Sequence, residues 1–388
     1  MKLVSIEPTP SPNSMKLNVD ERWPAGRRQT FTRENADDAP EPLRSLLAVE
    51  GVRGLFRTAD FIALDRMPNA DWPRILAEAR RLLSGGEETA EAAGGPEQAD
   101  GYGEAHVKVQ MYRGIPMQVR VQHAGGEFRS ALPPQFAEAV GRAAGATMIR
   151  ERMLEEYGVR YGEPEEIAAE VVQELEAAYT ADRLAGLVEA AQAMAAPAGD
   201  VGAPAPAPVR PRPLTAAELE AALAAEDWRE RYAALERTVP EPALLPLLAR
   251  ALRDENTSVR RLAVVYLGDL RSSEALPHLF AALKDRSPAV RRTAGDTLSD
   301  LGDPAAVGPM TEALADPNKL VRWRAARFLY EAGDESAVPA LREAAQDPEF
   351  EIRLQAQMAL ERIERGEEAA GSVWQQMTAA HRREPGGG

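Results

Sequence analysis

Between residues 254 and 364 the apolar and polar positions repeat every 31 residues. Val259, Val290, Val321 and Ile352 are each followed by an arginine, giving Arg260, Arg291, Arg322 and Arg353. Three residues after each arginine comes an alanine (263, 294, 325, 356), and four further on a leucine (267, 298, 329, 360). Asp254, Asp285, Asp316 and Asp347 hold the same register. A fixed period of this length predicts stacked helical hairpins that each bury one face only against their neighbours. Val259, Leu262, Ala263, Tyr266, Leu267 and Leu270 give the inner face of a first helix (A), and Leu276, Leu279 and Leu283 that of a second (B). Ser287-Pro288, Asp316-Pro317 and Asp347-Pro348 read as an N-cap followed by proline in the first helical position, and Asp303-Pro304 opens a B helix in the same way. Gly302 and Gly333 fall at the A–B turns. Residues 227–254 form a degenerate first unit, residues 348–364 supply a final A helix, and Val373, Trp374 and Met377 are expected to cover the open end.

Upstream, the pattern changes to period two. Met15 to Val19 alternates as a strand, while Leu55–Arg57 and Phe61–Leu64 flank Thr58-Ala59-Asp60 as a hairpin. Leu43, Leu46 and Leu47 sit at helical spacing. Asp71 caps a further helix with Trp72, Ile75, Ala79 and Leu82 as its apolar stripe. A second alternating pair, His106–Arg113 and Met117–His123, requires a loop of odd length if both apolar sets are to share a face. Gly114-Ile115-Pro116 supplies three residues. Helices are expected around 134–146 and 164–178, the latter striped by Ile167, Val171 and Leu175.

Two low-complexity stretches divide these patterns. Residues 84–101 carry five carboxylates and no basic residue, and the Ala/Pro-rich 196–213 reads as a stiff spacer. The expected organisation is a small α+β domain (1–83), an acidic linker, a middle α+β domain (102–195), a second linker, an all-α repeat solenoid (214–366) and a C-terminal cap and tail (367–388).

Composition narrows the chemistry. The net charge is −15, with the N-terminal domain near neutral and the rest acidic, which argues against a nucleic-acid or anionic-membrane binder. No apolar run approaches the roughly 18–20 residues of a bilayer span, and MKLVSIEPTPSPNS lacks the apolar core of a secretion signal, so a cytoplasmic protein is expected. Cysteine is absent, which removes disulfides, thiol catalysis and thiolate-held metal clusters. His106 and His123 fall on opposite faces of their strands, His278 lies on a B helix and His381 in the tail. Glu155-Glu156 and Glu163, Glu165 and Glu166 read as solvated helix ends. Without a nucleophile–base pair, a metal-ligand cluster or a phosphate-cradling loop, no enzyme and no cofactor is expected; Gly51-Val52-Arg53-Gly54 is too short to be such a loop.

Thr9 to Leu17 (TPSPNSMKL), Val52 to Phe56, Asp60-Phe61-Ile62 and Asp71-Trp72 resemble the N-terminal domain of Nfu-type iron–sulfur scaffold proteins. That family holds its cluster in a separate cysteine-bearing domain, so the resemblance implies a fold and a docking surface rather than a cluster. The repeats resemble short HEAT repeats of the kind also found in bilin-lyase subunits. The order of modules, with HVKVQMYRGIPMQVR at 106–120 and Ala131-Leu132-Pro133-Pro134, is similar to that of a bacterial family called conserved virulence factor C.

The resulting expectation is a non-enzymatic adaptor or scaffold, regulatory or virulence-related, that grips one or more proteins through a HEAT groove. Partner-binding candidates are Pro12, Asn13, Ser14, Lys16, Asp71 and Trp72 on the Nfu-like domain and Arg250, Glu312, Arg342 and Glu343 on B helices. The arginine series, begun at Arg229, is read with the aspartates as a structural ladder rather than an anion rail. The alternatives are an accessory factor in iron–sulfur assembly that holds no cluster itself, with assembly components as its partners, and a HEAT-type lyase.

Overall fold

The computed structural model describes residues 1–9, 11, 13–23, 28–67, 70–84, 104–123, 126–144, 151–195 and 212–366. Pro12, all of the 84–101 linker after Ser84, nearly all of 196–213, His381 and the expected cap at Val373, Trp374 and Met377 lie outside them.

Alternation builds the first unit. Strands β1 (Leu3–Pro8), β2 (Ser14–Val19) and β3 (Arg28–Thr32) precede helix α1 (Leu43–Ala48); β4 (Val52–Thr58), β5 (Phe61–Arg66) and α2 (Trp72–Ser84) complete it. The described strands form one antiparallel sheet in the order β1-β2-β5-β4-β3. Met15, Leu17 and Val19 turn inward against Leu43, Leu46 and Leu47 of α1 and Trp72, Ile75 and Ala79 of α2. The α2 stripe ends on Leu83, buried four residues after Ala79, while Leu82 lies at the rim of the core. The β4–β5 turn needs only Ala59 and Asp60, since Thr58 already pairs with Phe61. Gly51 enters β4 at φ +89°, and a Cβ there would come within 2.5 Å of the Ala70 side chain.

The second unit comprises β6 (Glu104–Tyr112), β7 (Ile115–His123), β8 (Gly126–Ala131), α3 (Pro134–Ala143), β9 (Arg152–Tyr161), α4 (Pro164–Ala178) and α5 (Ala181–Ala195). Its sheet runs β8-β7-β6-β9. The β6–β7 connection corrects the expected three-residue loop. Only Arg113 and Gly114 turn the chain, both at positive φ, and Tyr112 pairs with Ile115. The register then shifts between Gln110 and Met111, so that Val109 faces Val119 and Val107 faces Val121. A bulge beside a two-residue turn thus satisfies the parity that an odd loop would have met. Ile167, Val171 and Leu175 of α4 pack on those valines. Glu155 and Glu156 belong to strand β9 and end no helix; Pro164 and the carboxylates around it do open α4.

The third unit alternates A helices, α7 (Trp228–Glu236), α9 (Thr257–Asp269), α11 (Pro288–Leu301), α13 (Lys319–Ala332) and α15 (Phe350–Glu364), with B helices, α6 (Ala216–Ala222), α8 (Leu245–Ala251), α10 (Leu276–Ala282), α12 (Val307–Ala313) and α14 (Val338–Ala344). One apolar cluster runs from Leu219 to Ile363, and Ala263, Ala294, Ala325 and Ala356 are all fully buried in it. Small residues bring successive A helices together: a Cβ on Gly268 would lie 2.3 Å from Thr297 Cγ2 of the next one. Two of the expected caps move. Asn318 and Glu349, not Asp316 and Asp347, are the N-caps of α13 and α15; Ser287 caps α11 and Asp303 the turn into α12 as expected.

Candidate functional site

The displaced aspartates stand two residues before each N-cap, and there they meet the arginines. Arg260 Nε and Nη2 donate to Asp285 of the next repeat at 2.8 and 2.9 Å, while its Nη1 donates to the Asp254 and Glu255 carbonyls, both at 2.9 Å. Arg291 repeats this with Asp316 at 2.6 and 2.8 Å, and Arg322 with Asp347 at 2.7 and 3.2 Å. Each aspartate also accepts the backbone N–H two residues on, from Asn256, Ser287, Asn318 and Glu349. Every rung therefore ties a helix start, an inter-repeat loop and the next repeat together. The first rung is Arg231, bonded to Asp254 at 2.6 and 3.0 Å; Arg229, the residue a strict period selects, lies outside the ladder, 3.8 Å from Asp227. Its place shifts because the first A–B unit is two residues shorter than the others. Arg353 keeps its bonds to the carbonyls of Asp347 and Pro348 at the end of the series. The paired guanidiniums form no anion rail.

A second set of buried charges joins the units. Glu174 of α4 is wholly buried and accepts from Arg160 of β9 at 2.9 Å and from Arg261 of α9 at 2.7 Å; the Tyr157 hydroxyl lies 3.3 Å from the same carboxylate. Burial pushes the Glu174 carboxyl up, but Arg261 and Arg160 outweigh it and hold the group below the usual range. Tyr161 lies under the Arg292 guanidinium, 4.2 Å from its ring centre, and burial pushes its hydroxyl up to about 12. Ala177 and Ala178 of α4 are part of the repeat core.

The first unit is fastened to the far end of the array. Arg66, at the end of β5, is 3% exposed and meets Glu351 of α15, 7% exposed, at 2.5 Å. Phe350 and Leu354 of the same helix pack on the N-terminal core. Ser11 donates to Glu104 of β6 at 2.6 Å, linking first and second units. The three units therefore close on one another, and the bonds to the array fall on A helices.

Two of the expected partner-binding residues of the first unit, Asn13 and Trp72, serve this joint instead. Asn13 accepts from Arg66 Nε at 3.3 Å, Arg66 stacks 5.2 Å from the Trp72 ring centre, and Trp72 is fully buried, so it offers no surface to a partner. Ser14 starts β2 opposite Asp65, Lys16 lies over Phe61, and Asp71 accepts the Arg74 N–H at 3.1 Å. Arg66 itself escaped the sequence reading; its one signal was an arginine in register with the buried Ile62 and Leu64. The B-helix residues are different. Arg250, Glu312, Arg342 and Glu343 are all exposed. Arg250 donates to the Leu223 carbonyl at 3.3 Å, Glu312 pairs with Lys284 at 2.7 Å and Arg342 with Glu364 at 3.1 Å. Beside Arg250 a hollow of about 540 Å³ is lined by Leu223, Ala224, Arg253 and Glu255. Among the described residues no group of three or more His, Asp or Glu side chains could hold a metal ion, and no helix is long and apolar enough to cross a membrane. His106 lies near Glu104 and Glu156, and His123 ends β7 opposite Gly126, so the two histidines share no site.

Three modules in this order define a multidomain HEAT-repeat protein. Family models match each: "Scaffold protein Nfu/NifU N terminal" over residues 4–86, "Virulence factor" over 110–188 and "HEAT repeats" in overlapping windows from 216 to 383. The chain is 50% identical over 386 residues to the uncharacterized protein YpgR of Bacillus subtilis, covering 99% of this chain and all of that one. It is 43% identical over 382 residues to conserved virulence factor C of Staphylococcus aureus strain MRSA252, covering 97% and 99%. The crystal structure of Staphylococcus aureus protein SAV1430 aligns with 21% of this chain and 98% of its own at 33% identity and a TM-score of 0.20. The chain belongs to the conserved virulence factor C family.

Proposed function

We propose that the protein is a non-enzymatic adaptor whose B-helix face grips another protein, the A face being spent on its own domains. The observation that carries this reading is the division of labour across the array. Arg261, Arg292 and Glu351 on A helices hold the first two units, whereas Arg250, Glu312, Arg342 and Glu343 stay exposed on B helices. The A-face ladder repeats the same residues in each unit, while the B-face positions change charge from repeat to repeat, as a surface selecting one partner requires. A photo-crosslinking residue placed singly at 250, 312 or 342 tests it in cells. The expected result is one shared adduct species at those positions and none from Thr293 on α11. Adducts that are absent, or the same from both faces, overturn it.

A second reading, an accessory role in iron–sulfur assembly, has the Nfu/NifU match over residues 4–86 in its favour. Lacking cysteine, the chain would act there by binding a cluster carrier rather than by holding thiolate-bound iron. Activities of iron–sulfur enzymes unchanged in a deletion strain count against it.

A further inference from the structure

We propose that the outer edge of β9 pairs with the same edge of a second copy of this chain, in an antiparallel two-fold arrangement. β9 ends its sheet, and among the described residues no strand bonds its outer side. A free strand edge presents unpaired N–H and C=O groups and is normally shortened, covered or guarded by charge. Here the apolar side chains are left in the open: Met153 is 63% exposed, Leu154 51% and Val159 43%, and these are three of the seven large apolar residues exposed in the described structure. The two halves of the strand differ. Tyr157, Arg160 and Tyr161 are taken up by Glu174 and Arg292, so pairing falls to Arg152–Glu156, whose side chains are all exposed.

The occupant follows from the charges. In an antiparallel ladder, residues facing each other both point their backbone groups at the partner, so a strand pairing with its own copy must match odd with odd and even with even. One such register within this stretch sets Arg152 opposite the partner's Glu156 and, by symmetry, Glu156 opposite the partner's Arg152, with Leu154 on the axis against its copy. Centring instead on residue 152, 155 or 156 sets like charges face to face. Centring on Met153 opposes Glu151 to Glu155 and leaves Arg152 facing Leu154. Only the Leu154 register makes an apolar centre flanked by two ion pairs. Glu156 is free enough to join: it is 56% exposed, at 3.8 Å from Lys108 Nζ and 3.9 Å from His106 Nδ1. A stretch this short gives a weak, concentration-dependent dimer.

Sedimentation equilibrium of the full chain, with Arg152→Glu and Glu156→Arg variants, tests the pairing. The wild type is expected to dimerise reversibly, and each single variant to raise the dissociation constant by about tenfold or more. The decisive result is the equimolar mixture of the two variants, in which each face-to-face pair again has opposite charges: a heterodimer forms although neither variant pairs with itself. Because the chain has no cysteine, Leu154→Cys gives a single thiol, expected to oxidise to a covalent dimer faster than Val239→Cys, at a residue also 53% exposed. A wild type that stays monomeric up to about 200 µM, which implies a dissociation constant of about a millimolar or weaker, overturns the proposal. So does a dimer that both variants retain, or a mixture that does not pair.

Discussion

Arg66 and Glu351 lie 285 positions apart and form a nearly solvent-free ion pair of 2.5 Å that joins the first sheet to the last helix. The arginine is held from three sides: Asn13 accepts from Nε, the Ala70 carbonyl accepts from Nη1 at 2.9 Å, and Trp72 stacks on the guanidinium. Removing one member of a buried pair leaves the other charged and without its partner, at a cost of about 3–5 kcal/mol. Glu351→Ala is therefore expected to release the N-terminal unit from the array, seen as faster amide exchange in both α2 and α15. Replacing both residues, Arg66→Met with Glu351→Leu, is expected to restore much of that protection. Unchanged exchange in the single variant would show the joint to rest on Phe350 and Leu354 alone.

The ladder makes a discriminating prediction because a strict period and the structure choose different first rungs. Arg231→Ala removes two bonds to Asp254 and those to the Ala225 and Glu226 carbonyls, and is expected to cost about 3 kcal/mol in urea unfolding of the array. Arg229→Ala lies on the surface beside Asp227 and is expected to change stability by about 0.5 kcal/mol or less. Equal costs would remove the distinction between the two.

The solenoid was legible because its determinants are local: each repeat restates the same apolar stripe, and Ala263 and its equivalents report close helix packing whatever lies beyond them. The edge strands β1, β3, β8 and β9 were not legible. Alternation marks a strand only where one face of its side chains is buried, and in β3 only Phe31 is buried, in β9 only Arg160. The interdomain charges were harder still. Arg66 and Glu174 lie on the apolar faces of β5 and α4, in register with Ile62 and Leu64 and with Ile167 and Val171, but nothing local names their partners, since Glu351 and Arg261 come from distant segments. For the same reason Trp72, part of a motif that suggested docking, proved to be packing for an arginine that docks within the chain.

The Glu174 seam should respond to acid. Its folded pKa is depressed, Arg261 and Arg160 outweighing the burial that pushes it up, so the stabilisation it gives is fully present above the unfolded value of 4.5. That stabilisation is lost as pH falls through the lower folded value, because protonation then removes the charge both arginines face. Amide exchange in α4 and β9 is expected to accelerate below about pH 4.5 (the unfolded carboxylate range). Glu174→Gln should open the same segments at pH 7 and flatten the acid dependence. An acid response identical in the variant would assign it to other carboxylates.

Two opposing effects meet at Gly268, and the geometry decides between them. Glycine inside a helix is worse than alanine by about 1 kcal/mol, so Gly268→Ala on propensity alone should stabilise α9. The added Cβ, however, would stand 2.3 Å from Thr297 Cγ2 of α11 but 3.6 Å from Thr297 Cβ. The methyl is thus the whole obstacle, and overpacking of this kind costs about 1–3 kcal/mol. Gly268→Ala is expected to lower the urea midpoint of the array. In a Thr297→Ala background, where that methyl is gone and an ordinary contact distance remains, the same substitution is expected to be neutral or to raise the midpoint. A penalty that persists in the double variant would mean that the α9 backbone itself, rather than one side chain on α11, cannot accept the extra carbon.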